Sequence, residues 1–168
     1  QLNLHEVLER VRSLILAEYG REVVIRRDYD VSLPLLHGDK EQLIQAALNV
    51  VRNAAQAITG GEDRRGEIRL RTRVVRQVTL ARRRYRHALA LEIADNGPGI
   101  PETLQERIFH PLVSGREGGS GLGLTLAQNF VTQHHGMIFF ESVPGNTTFT
   151  ILLPVQENDE RGTMNAER

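Results

Sequence analysis

The 168 residues, 40% hydrophobic and 25% charged, suffice for one domain with its own core and are too apolar for a chain that stays unfolded. Twenty-one basic residues balance 21 acidic ones, which excludes a global field drawing the molecule onto nucleic acid, and the absence of cysteine excludes disulfide scaffolds, thiol nucleophiles and thiolate metal sites. No apolar run approaches the roughly 20 residues of a membrane span and nothing at the start resembles a cleaved signal peptide, so a soluble fragment is expected. It starts at Gln1 rather than Met, and an upstream region of a longer parent is expected before it.

Leu4, Val7, Leu8, Val11, Leu14 and Ile15 recur at helical spacing behind a possible Asn3 cap, which predicts an amphipathic helix over the first eighteen residues, stopped by Gly20. A short strand at Val23, Val24 and Ile25 leads into a loop from Asp28 to Pro34. Asp39, with Gln42 three positions on, reads as a capping box opening a helix over 40–59, whose stripe is Leu43, Ala46, Ala47, Val50, Ala54, Ala57 and Ile58. Alternating residues at 66–79 and 87–95 predict an antiparallel pair joined by a basic connection. Six glycines between 96 and 121 surround a short helical patch in what reads as a mobile segment. A helix from Leu122 to His135 and strands near 137–142 and 147–153 follow, before Pro154 opens a polar tail that is expected to be disordered. The fold class predicted is α+β, a two-layer sandwich with three main helices on one face of a mixed, mostly antiparallel sheet.

Three short patterns carry chemistry. Asn49 and Asn53, one helical turn apart, are either two amides on a solvated face or oxygen ligands for a hydrated cation such as magnesium. Asp95-Asn96-Gly97-Pro98-Gly99-Ile100 follows a strand; it reads as a plain turn, or as a carboxylate placed to accept from an exocyclic amine beside glycines that admit a flat base. Gly119-Ser120-Gly121-Leu122-Gly123-Leu124 opens a helix and would present backbone amides to phosphate. The dinucleotide fingerprint fails at Leu124, and the Walker loop fails because Lys40 is the only lysine.

In this order, Asn49 to Asn53, Asp95 to Gly99, Phe109-His110-Pro111-Leu112 and Gly119 to Leu124 resemble the N, G1, F and G2 boxes of sensor histidine kinase catalytic domains, particularly the nitrogen-regulatory NtrB type. The resemblance covers residues 35–154 and implies a Bergerat fold shared with gyrase, Hsp90 and MutL ATPases, with ATP held under a flexible lid. It implies that Asn53 binds magnesium and that Asn49 is the polar position one turn before it. It further implies that Asp95 reads adenine, with Gly97, Gly99 and Ile100 against the base. Gly119, Gly121, Leu122 and Gly123 would lie at the phosphates, Arg116 would be a basic lid residue near the terminal phosphate, and Thr148 would lie in the last nucleotide-side segment. The resemblance divides the chain into a helix at 1–20 following a missing dimerisation and phosphoacceptor region, an ATP-binding domain at 21–155 and a tail at 156–168. Expected partners are the kinase's own dimerisation domain, a response regulator and the PII signalling protein, in the cytoplasm, with no direct contact to nucleic acid or membrane.

Two departures stand out. Asn146 replaces the second glycine of the family's Gly-x-Gly-Thr-x-Phe segment, where its tolerance of left-handed backbone would preserve the turn. None of the six histidines lies in a phosphoacceptor box, so the acceptor is expected upstream. Hydrolytic relatives carry a glutamate base at position 49; an amide there cannot take a proton from water, which favours a kinase over an ATPase. The rival reading is a degenerate nucleotide-sensing or docking module without phosphotransfer. Arg82-Arg83-Arg84-Tyr85-Arg86 reads as a solvated hairpin tip or protein-docking loop rather than a nucleic-acid site, and His134-His135 as one packed and one exposed histidine rather than metal ligands.

Overall fold

The structure, a computed structural model, describes residues 1–59, 66–109 and 123–156. Its elements are α1 (Leu4–Tyr19), β1 (Val23–Asp28), α2 (Lys40–Thr59), β2 (Gly66–Leu80), β3 (Arg83–Asp95), the single turn α3 (Glu102–Gln105), α4 (Gly123–Gln133), β4 (Met137–Val143) and β5 (Asn146–Pro154). The five strands run in the order β1-β2-β3-β5-β4. β1 pairs with β2 in parallel, and the other three pairings are antiparallel, as the alternation in the sequence leads one to expect.

Strand alternation sorts the sheet into two faces. Ile68 and Leu70 of β2, Leu89, Leu91 and Ile93 of β3, and Phe149, Ile151 and Leu153 of β5 are buried in the same core as Val7, Leu8, Val11 and Ile15 of α1 and the stripe of α2. The helix α2 is central, packing against α1 on one side and α4 on the other. On the opposite face Arg71 and Arg73 share Glu92, and Arg71 also reaches Asp28. Thr72 is the one polar member of the inward row of β2; its hydroxyl accepts from the Asp30 amide at 3.0 Å and pairs with His5 Nε2 at 2.8 Å. The His5 ring stacks on Tyr29 with centroids 4.5 Å apart, and burial holds its pKa below the ordinary histidine value against the pull of Asp30 and Glu9.

The cap of α2 differs from the expected box. Asp39 Oδ1 accepts from the Gln42 amide at 3.2 Å, but the Asp39 amide donates to His134 Nε2 at 2.9 Å rather than to the Gln42 side chain. The other ring nitrogen, Nδ1, lies 2.8 Å from the Phe130 carbonyl, so the neutral tautomer with its proton on Nδ1 satisfies both contacts. A Cβ on Gly38 would stand 2.6 Å from the His134 ring, which explains a glycine just before the cap. His134 is half-buried and His135 exposed, with φ at 62°; among the described residues no group of three or more His, Cys, Asp or Glu side chains is arranged to hold a metal ion.

The β2–β3 pair is longer than alternation alone suggests. Arg83 to Arg86 belong to β3, not to a connection, and the turn is only Ala81-Arg82, with φ of 50° and 66°, a type I′ geometry usually given to Asn-Gly. Leu80 and Tyr85 pack on Ala88 in a second small apolar cluster, and the Arg83 guanidinium lies 5.1 Å above the Tyr85 ring. No described helix is long and apolar enough to cross a membrane.

Asp39→Ala is expected to lower the unfolding free energy by about 1 kcal/mol through loss of the cap. His134→Ala is expected to cost a similar ~1 kcal/mol. Because both act on the same helix start, the double variant should fall short of the sum in urea titrations.

Candidate nucleotide-binding site

The helix α2 carries a second row beside its core stripe. Gln45, Asn49, Asn53 and Ala57 recur every four residues, which stacks them along one side of the helix. Asn49 is 8% exposed and accepts from Gln45 Nε2 at 2.7 Å; Asn53 is half-buried. At the end of the row, a Cβ built on Gly97 would stand 3.6 Å from Ala57, so the loop after β3 lies directly against α2.

That loop is organised by Asp95, which continues the inward row of Leu89, Leu91 and Ile93 and is buried. Its register partners are Ile68 on β2 and Thr147 on β5. Oδ1 accepts from the Gly97 amide at 2.9 Å, and a Cβ at Gly97 would sit 2.9 Å from that same oxygen, so only glycine closes this turn without strain. Burial raises the Asp95 pKa above the ordinary aspartate range, opposed by the Gly97 hydrogen bond. Gly99, at φ 91°, passes so close to β4 that a Cβ would meet the Val143 carbonyl oxygen at 2.9 Å. The Gly97 carbonyl accepts from the Gly145 amide at 3.0 Å, which ties the loop to the β4–β5 turn.

Two hydroxyls complete the arrangement without having been singled out from the sequence. The Ile100 amide donates to Ser142 Oγ at 2.8 Å, and Ser142 Oγ lies 2.7 Å from Thr147 Oγ1. Thr147 is buried opposite Asp95, whereas Thr148 pairs with Ala94 and, by alternation, projects to the other face of the sheet. The structure therefore brings Thr147, not Thr148, to Asp95. Asn146 needs no left-handed backbone: Gly145 alone takes positive φ, at 88°, and Asn146 begins β5.

Asp95, Gly97, Gly99 and Ile100 thus follow one another at the ends of β3 and β4, and their loop meets α2 at Ala57, in the row that also carries Asn49 and Asn53. Phe109 packs edge-on against Phe140 and Phe149, and its carbonyl accepts from Thr125 Oγ1 at 2.8 Å, fastening the start of α4 to the segment that ends there. Gly123 is the first residue of α4. Arg116, Gly119, Gly121 and Leu122, with the lid and the tail beyond 156, lie outside the described residues.

A family profile described as histidine kinase-, DNA gyrase B- and HSP90-like ATPase matches residues 38–157. The chain belongs to this ATPase-like family. Membership makes a nucleotide the ligand its fold is built for. The sensory histidine kinase/phosphatase NtrB of Vibrio alginolyticus is 53% identical over 155 residues, covering 92% of this chain and 44% of that protein. The chain therefore spans less than half the length of the curated relatives it matches. The catalytic domain of histidine kinase ThkA superposes with a TM-score of 0.73 at 22% identity, over 91% of this chain and 93% of that one. Full-length ShkA, solved in complex with AMPPNP, gives 0.73 at 21% identity, over 94% of this chain and 31% of that one. These likenesses establish the Bergerat fold of histidine kinase catalytic domains.

Because the folded state binds the Asp95 proton more tightly than the unfolded chain does, stability is expected to fall as pH climbs from the ordinary aspartate range through the raised folded value. Asp95→Asn keeps the acceptor for Gly97 and removes the buried charge. It should unfold at a higher temperature than the parent chain at neutral pH and lack that component of the pH slope.

Proposed function

We propose that this chain binds ATP with magnesium and transfers the γ-phosphate to a histidine of a dimerisation domain in the longer, cytoplasmic protein, acting in nitrogen-regulatory two-component signalling. The observation that carries the reading is the α2 row: it runs from the loop of a buried carboxylate to an amide, not a carboxylate, at position 49. The ionised Asp95 accepts from the exocyclic amine of adenine, with Gly97 and Ile100 against the ring. Asn53 offers an amide oxygen that fits a magnesium ion already carried by phosphates, since that ion takes few protein ligands and no protein cage is present among the described residues. Bound there, magnesium supplies neutralisation of the phosphate charge.

Asn49 has no lone pair basic enough to take a proton from water at neutral pH, so hydrolysis lacks its base while an imidazole, nucleophilic in its own right, does not need one. The unprotonated imidazole nitrogen bonds to the γ-phosphorus as the bond to the β–γ bridging oxygen breaks, ADP leaves with that electron pair, and the proton on the other ring nitrogen passes to solvent. Arg116 and the glycines at 119, 121 and 123 would meet the phosphates, a role that their resemblance to the family's lid and glycine-rich boxes supports. Residues 21–155 form the nucleotide-binding unit and 1–20 its connection to the acceptor domain. A response regulator and a PII protein are the partners proposed for the whole protein, a reading that the likeness to NtrB sensors supports.

With γ-labelled ATP, magnesium and a separately expressed dimerisation domain of an NtrB-type kinase, acid-labile phosphohistidine is expected, and Asn53→Ala should abolish it. ATP bound without labelling would turn the assignment towards a nucleotide-sensing module. Asp95→Asn should weaken ATP binding about ten- to a hundredfold through the lost charged hydrogen bond. By itself the chain should hydrolyse ATP very slowly; turnover like that of a true ATPase would sink the argument from position 49.

A further inference from the structure

We propose that Ser142 and Gln105 are positioning residues that clamp the Ile100 backbone from two sides, so that the apolar wall of the adenine pocket stands in place before the nucleotide arrives. This deepens the function proposed above and rests on its assignment of Ile100 to the base. On β3, β5 and β4 the inner face of the sheet is apolar up to its last row. Ile93, Phe149 and Phe140 lie abreast there, with the two phenyl rings stacked at 5.5 Å. One row further on, the register sets Asp95, Thr147 and Ser142 abreast, so three polar side chains end the apolar face where the loop after β3 begins.

Ser142 is the member that reaches out of this row. Its Oγ accepts from the Ile100 amide at 2.8 Å and lies 2.7 Å from Oγ1 of Thr147, the buried residue between it and Asp95. The Ile100 carbonyl accepts in turn from Gln105 Nε2 at 2.9 Å, across the single turn α3. Ile100 belongs to no helix or strand, and among the described residues neither its N–H nor its C=O makes a backbone hydrogen bond. Its neighbours are a glycine at positive φ and a proline, so the two side chains supply the hydrogen bonds that a ladder gives elsewhere. The side chain of Ile100 meanwhile packs, half-buried, against the main core. One serine hydroxyl therefore joins the apolar wall to the row that holds the buried carboxylate, and wall and carboxylate share one frame. A wall that has to be ordered when the base binds subtracts that ordering from the affinity; one held beforehand does not.

The test measures ATP and ADP affinity, each with magnesium, by displacement of a fluorescent nucleotide from the full chain, beside hydrogen exchange at the Ile100 amide without nucleotide. Ser142→Ala removes the acceptor. The Ile100 amide is expected to exchange faster, and ATP and ADP affinity to fall by the same factor of about ten, since the wall touches the base and not the phosphates. Phosphotransfer to the separately expressed dimerisation domain at saturating ATP should keep its rate, which puts the loss in KM rather than kcat. Ser142→Thr keeps a hydroxyl and suits a strand, and it should restore both affinities. Gln105→Leu removes the other half of the clamp and should cost about three- to tenfold; because both changes act on one residue, the double variant should fall short of the product. Thermal unfolding checks that each variant is folded, and should Ser142→Ala not be, Gln105→Leu carries the test alone. Unchanged affinity for both nucleotides in the folded variants, or a loss confined to ATP, overturns the proposal, because the two side chains then serve the fold alone. A parent chain that binds neither nucleotide overturns the function proposed above, whereas binding by the parent that the variants leave unaltered overturns this inference only.

Discussion

A carboxylate at the end of a core-facing row is the constraint from which the site is built. Leu89, Leu91, Ile93 and Asp95 all point inward from β3, and the fourth sits in surroundings shaped by the first three. Burying that charge opposes folding, as its raised pKa records, and the neighbouring backbone offsets only part of the cost through the Gly97 amide. The glycine that supplies this amide has no room for a side chain beside Asp95 Oδ1, and it stands within van der Waals reach of Ala57 of α2. One unfavourable burial therefore fixes the loop, its glycine and the approach of the central helix.

The helix α2 answers two demands with one periodicity. Its apolar stripe joins α1, the sheet and α4, while the row from Gln45 to Ala57 meets the loop after β3 at Ala57. Its first turn is held by two side chains from distant parts of the sequence, Asp39 from its own cap and His134 from the end of α4. Since α4 is also fastened at its start through Thr125 to Phe109, the helix is attached at both ends.

What was legible in the sequence was whatever depends on near neighbours. The limits of α2 followed from Asp39 and the glycines after Thr59, and the inward parity of β2 and β3 followed from alternation. The bond between Asp39 and His134 was not legible, because 95 residues separate partners that tertiary packing brings together. Thr147 was passed over for Thr148 because adjacent threonines are distinguished only by the register against β3, and Ser142 had no role until the Ile100 amide was seen to need an acceptor. The start of β3 was misplaced since Ala81-Arg82 carries none of the glycine or asparagine that usually marks a two-residue turn, and the arginines after it read as a connection.

That ribbon has a consequence for how copies of the chain meet. Beyond Arg71 the strand β2 has no β1 alongside it, and before Ala88 the strand β3 has no β5, so both edges of the projecting pair are bare of ladder partners. Exposed edges of this kind invite a second chain to add its own strand. Between Ile68 and Leu91 the sequence places eight arginines and not one carboxylate, so two ribbons brought edge to edge would set like charges against each other at close range. Like charge along the open ladder opposes such pairing, so the ribbon is expected to stay solitary rather than to seed aggregation.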